Sequence, residues 1–355
     1  MGAIESIRMR MLRMPLVTPY WSMISTLYAF DAMVAEARMR DGAIGYGECV
    51  IVNGYTHETP EGGWDFCREY AERLSGQTVA AARVALAPHL HKHAHAVSCI
   101  SAALEMAQGH PLLSATSIER RVAVLAPLHS KDRAELPDEI ERRLAEGYRT
   151  LKVKVGQDVS ADLARVAHIQ ACVAGRAIIR LDANQGYSVQ DGCAFASAID
   201  PHGIELLEQP CAAGDWDAAV TVKEVARVPM MLDESIFGEP DIERAGRLHA
   251  ASYIKLKLVK VAGIDALRAG LACVGRLGMR AVLGNGVATE IGNWMEACVS
   301  AERVQTASEG NGFLKPLGRL FRDPLPFSDG CIVIPAGYSP EIDRAKLEEY
   351  TVQRA

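Results

Sequence analysis

Apolar and polar positions follow two different periods along this chain. In the first 118 residues, "IESIRMRMLRMPL" and "AFDAMVAEARMRDG" alternate residue by residue, which predicts strands. "PEGGWDFCREYAERLSG", "TVAAARVALAPHL" and "HAVSCISAALEMAQGH" then follow with a helical period. Strands followed by helices predict an α+β module over residues 1–118. From Arg121 the pattern becomes a regular beat. Short β-branched runs appear at "RVAVLAPL", "TLKVKV", "AIIRLDAN", "GIELLEQP", "VPMMLDES", "SYIKLKLV", "MRAVLGNG" and "RVQTASEG", about every 25 residues, with helical stretches such as "ADLARVAHIQACVAG" between them. Eight such strand-helix units predict an α/β barrel over residues 119–325. Residues 326–355, with "DGCIVIPAGYSPEIDRAKLEEY", return to strand-turn-helix and are expected to pack back on the first module.

The second barrel run, "TLKVKVG", holds two lysines two residues apart. Strand side chains alternate, so Lys152 and Lys154 share one face while Leu151, Val153 and Val155 share the other. Two ammonium groups on one face repel, and inside a barrel they are also costly to desolvate. The stretch alone fits either an edge strand with a solvated lysine face or a barrel strand with both lysines inside.

The C-terminal ends of the strands supply the catalytic groups of such barrels. Those ends carry Lys152 and Lys154, then Asp182 and Asn184, Glu208, Asp233 and Glu234, and finally Lys255 and Lys257. Three successive strands each bring a carboxylate to one mouth. Convergent carboxylates in a partly dry site repel, and their pKa values rise unless a cation sits among them. Oxygen donors without cysteine or histidine suit a hard cation, Mg²⁺ first and Mn²⁺ as the alternative. The same acids could instead be separate helix caps, which "LDES" and "LDAN" can each supply.

Composition narrows the function classes. The 355 residues are 49% apolar and 23% charged, enough for a large barrel with a smaller companion. A net charge of −6 without a basic stripe argues against a nucleic-acid partner. The nine cysteines are scattered with no CxxC pair, which fits reduced thiols better than a disulfide frame. With no charged-then-apolar leader and no run of about 18 apolar residues, the expectation is a cytoplasmic chain with no membrane partner. "MGAIES" fits the loose myristoylation pattern but runs directly into an alternating strand, so no lipid anchor is expected.

"KVKVG", "LDAN", "LLEQP", "LDES" and "IKLKLVKVAG", in this order and spacing, resemble the muconate-lactonizing-enzyme subgroup of the enolase superfamily. The resemblance covers nearly the whole chain. It implies a (β/α)7β modified TIM barrel beneath an N-terminal α+β capping domain, and a homo-oligomer acting on a small-molecule carboxylate. It also implies that Asp182, Glu208 and Asp233 hold Mg²⁺, and that Lys154 and Lys257 are the acid/base pair. Lys152 is their electrostatic helper in that scheme, Asn184 and Glu234 support the ligands, and Glu234 holds Lys257. Proton removal α to a carboxylate leaves a dianion that nearby positive charge stabilises. A free lysine, with a pKa near 10.4, is a poor base at neutral pH, so Lys152 beside Lys154 is expected to lower that value.

Departures exclude some branches. Strand seven ends "VLGNGVATE" without the histidine base of the mandelate-racemase branch. Racemisation or epimerisation of an amino-acid or imino-acid derivative is the leading expectation, with cycloisomerisation or dehydration on the same site as alternatives. A Schiff-base aldolase or a non-catalytic binding protein is disfavoured by the three acids and the lysines that flank them. Glu309, Asn311 and Asn285 at the ends of strands seven and eight, and Tyr20, Trp21 and Tyr55 in the cap, are the expected substrate contacts; Glu309 is expected to read a cationic group. His91, His93 and His95 in "HKHAHAV" open a helix and would not share a face, so no metal is expected there. "GAIGYGE" lacks the dinucleotide spacing.

Overall fold

The computed structural model describes residues 2–21, 26–130 and 132–355, with Trp21 described by its backbone alone. The chain opens with three antiparallel strands, β1 (Ile4–Trp21), β2 (Thr26–Met39) and β3 (Ile44–Val50). Helices Pro60–Leu74, Val79–Leu86 and Ala94–Ala107 follow. The last of these lies on β3, and "GAIGYGE" has its physical reason there. A Cβ on Gly45 or Gly47 would fall on the backbone of Ala103 or Cys99, so the two glycines admit the helix to the sheet.

The expected first barrel strand, 121–128, is divided. Its first half forms β4 (Arg120–Ala123), and only β5 (Ala126–Pro127) enters the barrel. Parallel strands β6 (Thr150–Lys154), β7 (Ile178–Asp182), β8 (Ile204–Glu208), β9 (Met230–Leu232), β10 (Tyr253–Leu256) and β11 (Arg280–Leu283) continue it in sequence order, each followed by a helix. The expected eighth strand survives as a short closing segment. Ser308 bonds Ala123 and Leu125 on one side, and the Glu309 amide donates to Leu283 on the other, at 2.7 to 3.1 Å. This is a (β/α)7β barrel. Strands β12 (Phe327–Ser328) and β13 (Cys331–Ile334) form a small antiparallel sheet with β4, which explains the division, because residues 120–123 face a different partner from 126–127. The last strand, β14 (Thr351–Arg354), pairs antiparallel with β1 at the edge of the cap sheet.

Strand β6 lies between β5 and β7, so the edge-strand alternative falls away. Leu151 and Val153 are fully buried on the helix side, and Lys152 is buried on the barrel side. Cap and barrel are joined by buried carboxylates that accept from orphan amides at barrel helix N-termini. Glu48 on β3 accepts from the Thr289 and Gly292 amides at 2.8 and 3.0 Å, capping helix Glu290–Arg303. Glu105 accepts from the Ile264 and Asp265 amides at the start of Ile264–Arg276. Ser98 donates to Leu258 O and accepts from Ala262 N, both at 2.9 Å.

Burial pushes the Glu48 carboxyl up to about 7, against the amide bonds that favour its ionised form. The folded protein then holds this proton more tightly than the unfolded chain, so stability should fall as pH rises from 4.5 towards 7. Glu48→Gln keeps an acceptor and has no proton to lose. Urea unfolding at a series of pH values should show its total loss of stability across that window smaller by on the order of 3 kcal/mol; an unchanged loss would contradict this.

Candidate active site

One cavity sits where the cap meets the C-terminal ends of the barrel strands. Among its lining residues are Lys152, Lys154, Asp182, Asn184, Asp233, Lys255, Lys257 and Glu309 from the barrel, and Tyr20, Tyr55 and His95 from the cap. Asp182 and Glu208 lie level because β7 and β8 are in register, and Asp233 follows two residues beyond Met231, the partner of Glu208 on β9. All three are 2% exposed or less.

Lysines lie among the carboxylates. Lys152 Nζ is 2.8 Å from Asp182 Oδ2, 2.9 Å from Glu208 Oε2 and 2.9 Å from both oxygens of Glu309. Lys154 Nζ donates to Asp182 Oδ2 at 2.6 Å and to Asn184 Oδ1. Lys257 Nζ donates to Asp233 Oδ2 at 2.7 Å and to the Tyr55 hydroxyl at 2.6 Å, and that hydroxyl donates to Asp233 Oδ1 at 3.0 Å. A cap residue thereby completes the acid/base end of the barrel.

The electrostatics follow from these pairings. Burial alone would lower Lys152, but Asp182 and Glu208 hold its ammonium above the ordinary range. Lys152, beside Lys154 on the same face, thus has its own charge matched by carboxylates. Burial would raise Asp182 and Asp233, yet the lysines hold both below the carboxylate range. For Lys255 burial prevails over the pull of Glu208 and brings it down to about 7, and for Lys260, which donates to Asp233 O at 2.8 Å, to about 8.

Several expectations change. Glu234 does not hold Lys257; it accepts from Asn184 Nδ2 at 2.9 Å, which places its support on the Lys154 side. Its other oxygen is buried without a partner, and burial with the adjacent Asp233 pushes it up to about 7. Glu309 is expected to meet a cationic substrate group, but both of its oxygens already accept from lysines. Asn311 turns away from the cavity, donating to Leu125 O at 3.2 Å and accepting from Lys315. Asn285 lines the cavity but closes its own turn through Val287. Tyr20 and Tyr55 both line the cavity, and Trp21 lies outside the described side chains. Two residues gain weight. Lys255 shares the face of Lys257 by the same alternation that pairs Lys152 with Lys154. His95 lines the cavity while its Nδ1 sits 3.0 Å from the buried Glu58 carboxylate.

A family model described as "Enolase C-terminal domain-like" matches residues 135–346. The chain belongs to this family. It is an enolase-superfamily enzyme of the muconate-lactonizing type, and its relatives are named epimerases, racemases and cycloisomerases. The L-Ala-D/L-Glu epimerase of Bacillus subtilis is 27% identical over 78% of this chain and 79% of its own. The L-Lys-D/L-Arg epimerase of Methylococcus capsulatus is 28% identical over 89% and 96%. Muconate cycloisomerase 1-2 of Acinetobacter lwoffii is 27% identical over 94% and 91%. The solved muconate lactonizing enzyme from Pseudomonas fluorescens, complexed with muconolactone, superposes with a TM-score of 0.89 at 26% identity over 99% of both chains.

Whether a divalent cation fits is decided by the donors. Among the described residues no three acidic, histidine or cysteine side chains stand close enough together to enclose a metal unaided. Lysine ammoniums bridge the carboxylates instead. The donor chemistry nonetheless fits: three buried carboxylates on adjacent strands, all oxygen, two of which, Asp182 and Asp233, line the cavity. In this enolase-superfamily chain Asp182, Glu208 and Asp233 would hold the ion, displacing Lys152 and Lys255 as their counter-charge. Calorimetric titration with Mg²⁺ should show one site, with affinity falling at least about tenfold in Asp182→Asn and in Glu208→Gln. Equal affinity in the wild type and both variants would place the metal elsewhere.

Proposed function

We propose that the protein removes a proton α to a substrate carboxylate and returns one to either face, as a racemase or epimerase of an amino-acid derivative. The observation that carries this reading is the placement of Lys154 and Lys257. They stand at the ends of β6 and β10, separated by the three acid-bearing strands β7, β8 and β9, and both line the same cavity. In a closed barrel of eight positions that puts the two amines across the mouth from each other. A substrate carbon held between them is reached from both faces.

In one direction the unprotonated Lys154 amine takes the α-proton and the Lys257 ammonium delivers its proton to the opposite face; in the other direction the roles exchange. The pair is then restored by the reverse turnover or by solvent. Lys152, whose ammonium is held above the ordinary range, supplies fixed positive charge near the negative charge that develops on the carboxylate. Asn184 and Tyr55 orient the two bases by bonding their nitrogens. A divalent cation, when bound, would supply further positive charge against the substrate carboxylate.

The names of the relatives support this class without choosing within it, since they include dipeptide epimerases, an N-succinyl-L-Arg/Lys racemase and cycloisomerases. A second reading, cycloisomerisation of an unsaturated diacid, is favoured by the pairing of Glu309 with lysines, because a site without a free anion tolerates a substrate that has no cation.

Cα deuterium exchange in D₂O with Mg²⁺ tests the proposal. Lys154→Ala should abolish exchange from one enantiomer of a substrate and spare the other, and Lys257→Ala should do the opposite, each by about 10²-fold or more. Equal loss for both enantiomers in both variants would reject two opposed bases.

A further inference from the structure

The cavity's own charges are already matched, and this limits what a substrate can add. Among the described residues three acids line it, Asp182, Asp233 and Glu309, and each of their oxygens has a donor. Asp182 is held by Lys152, Lys154 and the Asn184 amide. Asp233 is held by Lys257 and Tyr55. Glu309 receives Lys152 on both oxygens at 2.9 Å and Lys255 on Oε2. Glu234 keeps one bare oxygen, but it is buried and outside the lining of the cavity. Four lysines, 152, 154, 255 and 257, line the cavity against those three acids.

Lys255 is the element that makes this complete. It is fully enclosed in the barrel, and its Nζ joins Glu208 Oε1, at 3.1 Å, to Glu309. Without it, Lys152 alone would hold both Glu309 oxygens, and the carboxylate would keep acceptor capacity for a cation in the cavity. With Asp182, Glu208 and Asp233 given over to a cation, Glu309 is the carboxylate left to Lys152 and Lys255. A substrate ammonium entering here would lose its water and find no unoccupied carboxylate among the described residues of the lining while facing lysines of its own sign.

We propose that the Lys152–Glu309–Lys255 bridge sets the charge of the substrate: the site takes carboxylates whose α-substituent is an uncharged acyl or hydrocarbon group, and rejects those with an ammonium on it. This rests on the carboxylate-binding reading above and narrows the amino-acid derivatives to N-acylated ones. Lys255 and Glu309 act here as specificity determinants, one positioned by the other.

The test uses two ligands of nearly equal shape, N-propionyl-L-leucine and glycyl-L-leucine, in which a terminal methyl is replaced by ammonium. Calorimetric Kd values are measured on the Mg²⁺-loaded protein. The wild type should bind the propionyl compound about tenfold or more tightly. Lys255→Met, which leaves Glu309 shared with one lysine instead of two, should shrink that ratio by about tenfold or reverse it. Glu309→Gln, which leaves both lysines unmatched, should widen it and serves as the second arm should Lys255→Met fail to fold. A wild type without preference, or preferring glycyl-leucine, overturns the proposal; so does a Lys255→Met that shifts both ligands equally, or a Glu309→Gln that narrows the ratio. Cα exchange on the same ligands is read separately. A preserved preference without exchange removes the proton-transfer reading and leaves this one standing.

Discussion

Three carboxylates buried on neighbouring strands would drive one another apart, or take up protons, if positive charge did not stand among them. Lys152 satisfies that constraint in this protein. It lies 2.8 to 2.9 Å from Asp182, Glu208 and Glu309, so one ammonium ties strands three and four of the barrel to the segment that closes it. Lys255 and Lys257 do the same for Glu208, Glu309 and Asp233. Breaking a buried set of this kind leaves uncompensated charge, which costs several kcal/mol. The acids and lysines therefore depend on each other for their presence in the core, before any chemistry is considered.

The same arrangement ties the cap to the catalytic end. Tyr55 reaches from the cap to both Asp233 and Lys257, and His95 stands against it edge-to-face with Glu58 behind. Glu48 and Glu105 fix the cap on the barrel by accepting from helix N-termini, where amides would otherwise be orphaned. Substrate selection and base positioning thus share a boundary that is polar on both sides and buried.

Much of the site was legible in the sequence because strand alternation and strand ends are local properties. The Lys-x-Lys parity placed Lys152 and Lys154 on one face, and three carboxylates at successive strand ends marked one mouth. What the sequence hid is non-local. The bond from Lys255 to Glu309 joins residues 54 apart in the chain and exists only once the barrel closes. The choice of Asn184 over Lys257 by Glu234 depends on rotamers across two strands. The first barrel run broke at Ala123 because β13, more than 200 residues later, captures its first half. The turning of Asn311 towards Leu125 follows from how the closing segment docks. Alternation predicts which face a side chain takes, but not which of several partners on that face it will choose.

The central claim is that Lys154 and Lys257 flank one substrate carbon from opposite sides. A crystal structure of the Mg²⁺-loaded protein with N-acetyl-α-aminoisobutyrate, whose α-carbon carries no proton to lose, tests it most directly. The account predicts the carboxylate at the Asp182–Glu208–Asp233 end, with the α-carbon between the two lysine nitrogens and within about 4 Å of each. A ligand with its α-carbon beside only one of the lysines, or with its carboxylate turned to the His95 end of the cavity, would contradict it.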